Sequence, residues 1–178
     1  MKILILNGSP HKQGTTAALT AKFQKGCSAG GHSIQTFDTA AASIHPCIGC
    51  NHCRTTEDGC VFKDDFEKLY PLLLDADLVV LVTPIYYFGM SAQLKSAIDR
   101  FFAHNTFLRS QSKKFALIAA CGDQEEWAMD GLRAHYRSLC RYMHWDSAGE
   151  LYAIGMYVPE DLKESDYLER AYQFGASL

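Results

Sequence analysis

Four cysteines crowd one short stretch of the chain: Cys47, Cys50, Cys53 and Cys60, spaced C-x2-C-x2-C-x6-C. Thiolates this close in sequence can converge on one metal centre or take part in redox chemistry. The other three cysteines, Cys27, Cys121 and Cys140, are scattered. An odd total of seven does not suit a secreted disulfide framework. In a reducing compartment, metal or redox chemistry explains the cluster better, and the scattered three read as small buried hydrophobes.

Two further segments carry chemistry. The first, Gly8-Ser9-Pro10-His11-Lys12-Gln13-Gly14-Thr15-Thr16, links an apolar run to a helical pattern. A helix N-terminus offers free backbone N–H groups and a positive dipole, which suits a phosphate. Ser9, Thr15 and Thr16 add hydroxyls, Gly8 and Gly14 allow close backbone approach, and His11 or Lys12 adds positive charge. Neither G-x-x-x-x-G-K-S/T nor G-x-G-x-x-G is present, which disfavours an NTPase loop and a Rossmann dinucleotide loop. The plain alternative is a polar turn with a threonine cap. The second segment, Thr83 to Ser91, places Pro84, Ile85, Tyr86, Tyr87, Phe88 and Gly89 after a buried strand. Pro84, Ile85 and Tyr86 offer a flat apolar contact for a ring. The backbone amides of Tyr86, Tyr87 and Gly89 can tune a ring's electronics. For Phe88, a place in the core or at an interface fits as well as contact with a ring.

The elements that must hold these segments alternate strand and helix. Strands are expected at Lys2–Asn7, His32–Phe37, Asp77–Val82, Lys114–Cys121 and Leu151–Tyr157. Helices are expected at Thr15–Ala29, from Asp64-Asp65 through Leu73, at Met90–Phe102, Gln124–Met143 and Glu160–Phe174, with Pro71 shortening or kinking the second. The pattern is an α/β fold with a parallel sheet covered on both faces. Ligands on such sheets bind beyond the carboxyl ends of the strands. The long irregular stretch Asp38–Phe62, which holds the cysteine-rich loop at 46–60, has the length of a functional loop. No linker or repeat divides residues 1–178, so one domain is expected.

Composition excludes several classes. Hydrophobic residues make up 48% and charged residues 21%, with a net charge of -3. Nucleic acid as main partner needs a basic surface that is missing here. No apolar run reaches membrane-spanning length, and the apolar N-terminus is too short for a signal sequence. A cytoplasmic protein is the expectation. No nucleophile–base motif such as G-x-S-x-G is present, and His135 and His144 read as structural.

The first loop resembles the phosphate loop of the flavodoxin-like NAD(P)H-dependent FMN reductases at Ser9, Gly14, Thr15 and Thr16, with His11 where that family commonly has arginine. The run Thr83-Pro84-Ile85-Tyr86-Tyr87-Phe88-Gly89-Met90-Ser91, followed by Gln93-Leu94-Lys95 and Asp99-Arg100-Phe101, is its most specific match. The resemblance spans essentially the whole chain. It implies a flavodoxin-like three-layer sandwich with a five-stranded parallel sheet in the order 2-1-3-4-5, FMN at the switch point, and an NAD(P)H-dependent FMN or quinone reductase activity. Ser9, His11, Gly14, Thr15, Thr16 and Pro84 to Gly89 would then hold FMN. It also implies a small-molecule electron acceptor or a redox protein as partner, and a homodimer or homotetramer. Tyr87, Phe88, Phe101, Phe102 and Phe107 are available for such an interface. The cysteine spacing resembles the loop of iron–sulfur flavoproteins, in which four cysteines hold a 4Fe–4S cluster that exchanges electrons with FMN. Cys47, Cys50, Cys53 and Cys60 match. Zinc, with His45 and His52 as spare ligands, and bare thiols or a disulfide remain open alternatives.

Overall fold

The computed structural model describes residues 1–56 and 58–178; Glu57, in the cysteine-rich loop, lies outside the described residues. Strand β1 (Lys2–Asn7) leads to helix α1 (Thr15–Ala29) and strand β2 (Ser33–Asp38). The cysteine loop follows, with one short helix, α2 (His52–Thr55). Next come α3 (Phe66–Asp75), β3 (Leu78–Tyr86), β4 (Gly89–Met90) and α4 (Ala92–Asp99). A 3-10 turn (Arg100–His104) joins α4 to α5 (Asn105–Ser110). The chain ends with β5 (Lys114–Ala120), α6 (Asp130–Met143), β6 (Asp146–Ala153) and α7 (Tyr167–Ala176).

Among the described residues the parallel strands lie in the order β2-β1-β3-β5-β6, and β4 pairs antiparallel with the end of β3. Because β4 is a two-residue hairpin arm outside that path, β5 and β6 are the fourth and fifth parallel strands. This is the flavodoxin-like order 2-1-3-4-5. Successive strand residues point to opposite faces, and the core divides accordingly. Leu4, Leu6, Val79, Leu81, Phe115 and Leu117 face α3, α4 and α6. Ile3, Ile5, Leu78, Val80, Val82 and Ile118 face α1 and α7. A run buried on both faces is therefore continuously apolar.

Several boundaries differ from the sequence expectation. Strand β3 extends through Tyr86, so Thr83 to Tyr86 is strand and not loop. The last parallel strand is Asp146–Ala153 and not Leu151–Tyr157, which frees residues 154–158 to form a loop. The expected helix 90–102 gives way at Arg100 to a 3-10 turn, and the expected helix 124–143 starts only at Asp130. Pro71 sits inside α3 without ending it.

Helices α1 and α7 cross with backbone in contact at two glycines. A Cβ on Gly26 would stand 2.0 Å from the Tyr172 carbonyl oxygen, and one on Gly175 would stand 2.2 Å from the Phe23 carbonyl oxygen. The obstacle is backbone, so no side chain can swing away. Alanine in place of glycine favours a helix by about 1 kcal/mol, but forcing the helices apart costs about 1–3 kcal/mol and uncovers Phe23 and Cys27. Gly26→Ala is therefore expected to lower the urea midpoint. A midpoint at or above that of the native sequence would refute the close crossing.

Candidate functional site

At the carboxyl ends of β1, β3, β5 and β6 lies a cleft of about 680 Å³, within the range of a cofactor pocket. One end is built by the first loop: Ser9, His11, Lys12, Gln13, Gly14, Thr15 and Thr16. Gly14 caps α1 with no side-chain hydrogen bond, which leaves the first N–H groups of a 15-residue helix available. Ser9 is buried, its Oγ accepts from the His11 N–H at 3.3 Å, and Thr15 and Thr16 are buried at the helix start. The loop is tied to the sheet because the Gly8 N–H donates to the Val82 carbonyl at 2.8 Å. A side chain on Gly8 would meet Leu94 Cβ and Ser91 Oγ at 2.7 Å. Lys12 forms an ion pair with Asp38.

The other walls come from three strand ends: Pro84, Ile85 and Tyr86, then Ala120, Cys121 and Gly122, then Met156, Tyr157, Val158 and Pro159. Tyr157 is largely exposed, and its ring lies over Gly122, where a Cβ would come within 2.6 Å of Cδ2. The cleft thus joins a polar helix terminus to flat, mostly apolar walls. Eight sequence-predicted residues border it: Ser9, His11, Gly14, Thr15, Thr16, Pro84, Ile85 and Tyr86. Tyr87, Phe88 and Gly89 do not border it; they form the turn between β3 and β4. Burial pushes the Cys121 thiol up, which keeps it protonated.

Sequence reasoning missed the Met156–Pro159 wall. The reason is the misplaced last strand, which drew Met156 and Tyr157 into the sheet. The signal was present in Gly155 and Pro159, two turn residues that flank this loop.

The cysteine loop forms a second centre. Cys47, Cys50, Cys53 and Cys60 all border one small recess, together with Val61, Phe62, Arg100 and Phe102. All seven cysteines are free thiols. Burial first, and nearby Cys60 second, push the Cys53 thiol up. Among the described residues, no three His, Cys, Asp or Glu side chains stand at metal-binding geometry. The donor set, four thiols around one recess, nonetheless fits a tetrathiolate centre in chemistry. Asp64 and Asp65 fasten the loop's stem: Asp64 Oδ2 accepts from the His45 N–H at 2.9 Å, and Asp65 Oδ2 accepts from the Ser43 N–H at 2.8 Å. Asp64 also pairs with buried Arg100 at 2.7 Å. Of the other cysteines, Cys27 and Cys121 are buried and Cys140 is half-buried, as expected. Phe101 belongs to the core, whereas Tyr87, Phe88 and Phe107 are exposed.

Comparison with known proteins adds the family. An iron-sulfur flavoprotein of Methanocaldococcus jannaschii is 34% identical over 100 residues, 56% of this chain and 51% of that protein. The chain thus spans about half the length of that relative. An iron-sulfur flavoprotein of Archaeoglobus fulgidus is 27% identical over 187 residues, covering 100% of this chain and 79% of that protein. Among solved structures, an NAD(P)H:quinone oxidoreductase from Methanothermobacter marburgensis superposes with a TM-score of 0.73 at 18% identity, over 99% of this chain and 96% of that one. That likeness is one of fold. Residues 1–157 match the profile described as NADPH-dependent FMN reductase; the chain belongs to that family.

Proposed function

We propose that this protein is an FMN-dependent oxidoreductase that draws hydride from NADPH or NADH and passes electrons to a small-molecule acceptor such as a quinone, or to a redox protein. The carrying observation is the cleft at the switch point, which joins an uncapped helix N-terminus to flat apolar walls. Residues 1–178 would act as one flavodoxin-like domain, and the assembly would be a homodimer or homotetramer.

FMN, when bound, supplies the hydride-accepting and electron-releasing chemistry. The chain supplies binding and orientation. The free N–H groups at the start of α1, with Ser9, Thr15 and Thr16, would hold the phosphate. Pro84, Ile85 and Tyr86, together with Gly122 and Tyr157, would supply the flat walls against which the ring packs. No side chain is needed as a catalytic acid or base, in keeping with Cys121 being held protonated.

This assignment is tested by an anaerobic spectrum together with FMN, iron and sulfide assays. One FMN per chain, bleached rapidly by NADPH or NADH, is the expected result. A colourless protein that refuses added FMN would sink the proposal. A hydrogen bond to a charged group contributes about 1.5–3 kcal/mol. Ser9→Ala and Thr15→Val are therefore each expected to weaken FMN binding by roughly tenfold or more, read by quenching of FMN fluorescence.

A second reading is favoured by the shared recess of the four thiols: an iron–sulfur flavoprotein electron carrier, with a 4Fe–4S cluster on Cys47, Cys50, Cys53 and Cys60. About four irons per chain in the same assay, with FMN that NAD(P)H does not bleach, would select this reading over the reductase.

A further inference from the structure

Arg100 is 1% exposed, which is unusual for an arginine. Its guanidinium reaches both stems of the cysteine loop. Nη1 donates to the His45 carbonyl at 2.9 Å and to Asp64 Oδ2 at 2.7 Å, and Nη2 donates to the Phe62 carbonyl at 3.1 Å. Its Cζ stands 5.4 Å from the Phe62 ring centroid and 5.2 Å from that of Phe66. His45 precedes the first cysteine of the loop and Phe62 follows the last, so one side chain closes the loop at its base.

Two features are left over from that clamp. Nε is buried and has no hydrogen-bond partner among the described residues. Arg100 also borders the recess that the four thiols share. Among the described residues a single carboxylate, Asp64, pairs with its charge, and Asp64 also accepts from two backbone N–H groups. The recess is therefore bordered by a fixed cation whose Nε is a spare buried donor, and an unpaired buried donor is costly. Arginine's fork serves this double role where lysine cannot, because lysine is a point charge without a planar set of donors.

We infer that Arg100 is the positioning residue of the thiol recess: it clamps both stems of the loop whose four cysteines border that recess, and its buried charge favours an anionic tetrathiolate centre there. The inference rests on the iron–sulfur reading above. Net charge and hydrogen bonds around such a centre set its reduction potential. A nearby cation stabilises the more negative, reduced state, so it raises the potential.

The test uses the full chain, reconstituted anaerobically with ferrous iron and sulfide, as native protein, Arg100→Lys and Arg100→Gln. Iron per chain, FMN per chain and the midpoint potential of the iron chromophore are measured. FMN content at the native level in the variants reports an intact sheet. Arg100→Lys keeps the charge and loses the fork; it should load less iron, and the iron that loads should keep a potential near the native value. Arg100→Gln loses the charge; its potential should shift to lower values. Native protein with FMN and no iron overturns the tetrathiolate reading on which the inference rests. Native protein that loads iron, with Arg100→Gln unchanged in both loading and potential, overturns the role of Arg100 alone.

Discussion

Replacing Asp64 with asparagine is expected to destabilise the protein by about 3–5 kcal/mol, the usual cost of breaking a buried ion pair from one side. The substitution is nearly isosteric, so the cost is electrostatic. Both carboxylate oxygens of Asp64 act as acceptors: Oδ2 from Arg100 Nη1 at 2.7 Å and the His45 N–H at 2.9 Å, and Oδ1 from the Phe66 N–H at 3.1 Å. Asparagine has one acceptor oxygen and must turn its NH2 toward a donor. Arg100 would then be a buried cation without a counter-ion among the described residues. A urea or thermal melt reads the loss, and faster proteolysis within residues 46–61 should accompany it. A change below about 1 kcal/mol would place this pair with surface ion pairs, whose contribution is small.

The same pair gives a pH dependence with a definite sign. Burial alone would raise the Asp64 pKa, but the hydrogen bond from Arg100 and those from His45 and Phe66 outweigh it and hold the carboxyl below its usual value. A depressed folded pKa means stabilisation that is fully present above the unfolded value of about 3.9 and lost as pH falls through the lower folded value. The stability gap between native protein and Asp64→Asn should therefore be constant above pH ~5 and close as the solution becomes more acidic. A gap that widens in acid would contradict the assignment.

The alternating pattern carried most of the fold into view. Continuous apolar runs such as Leu78–Val82, too short for a helix and rich in β-branched residues, read as strands buried on two faces, and the carboxyl-end rule then located the cleft. The first loop was legible because glycines and hydroxyls at a strand-to-helix turn suit a phosphate and because the run matches the family's phosphate loop, although a plain capped turn uses the same residue types. Boundaries were less legible. Strand β6 was misplaced because its first half, Asp146-Ser147-Ala148-Gly149-Glu150, is polar and half-exposed on the sheet edge, while Leu151 to Tyr157 looks apolar. Edge strands carry weak patterns of this kind. The role of Arg100 was not legible at all. The sequence places it next to α4, and only the tertiary fold brings His45, Phe62 and Asp64 around it, at separations of 55, 38 and 36 residues.

The exposed turn after β3 is where local preference and fold disagree, and substituting it should stabilise the protein. Tyr87 and Phe88 both have positive φ, 46° and 63°. They link Tyr86 and Gly89, which pair across the hairpin. Positive φ at both central positions is the type I′ pattern, which favours Asn-Gly. Bulky aromatics there store about 1–3 kcal/mol each. The surroundings hold the turn in place: a Cβ on Gly131 at the start of α6 would meet the Phe88 carbonyl oxygen at 2.7 Å, and the Phe88 ring lies 5.0 Å from Trp127. The pair Tyr87→Asn and Phe88→Gly should therefore raise stability by about 2 kcal/mol, net of the lost Phe88–Trp127 contact. Strain retained in an exposed turn next to the Pro84–Tyr86 wall of the cleft is a reason to test these side chains for a role. Tyr87 is fully exposed, and Tyr86, Phe88 and Trp127 are each about half exposed. Since Tyr87 and Phe88 do not border the cleft, FMN affinity should hold while turnover with an aromatic acceptor falls. A stabilised variant with native turnover would mean that the aromatics serve neither acceptor nor partner. An unchanged stability would mean that Trp127 and α6 already offset the strain in full.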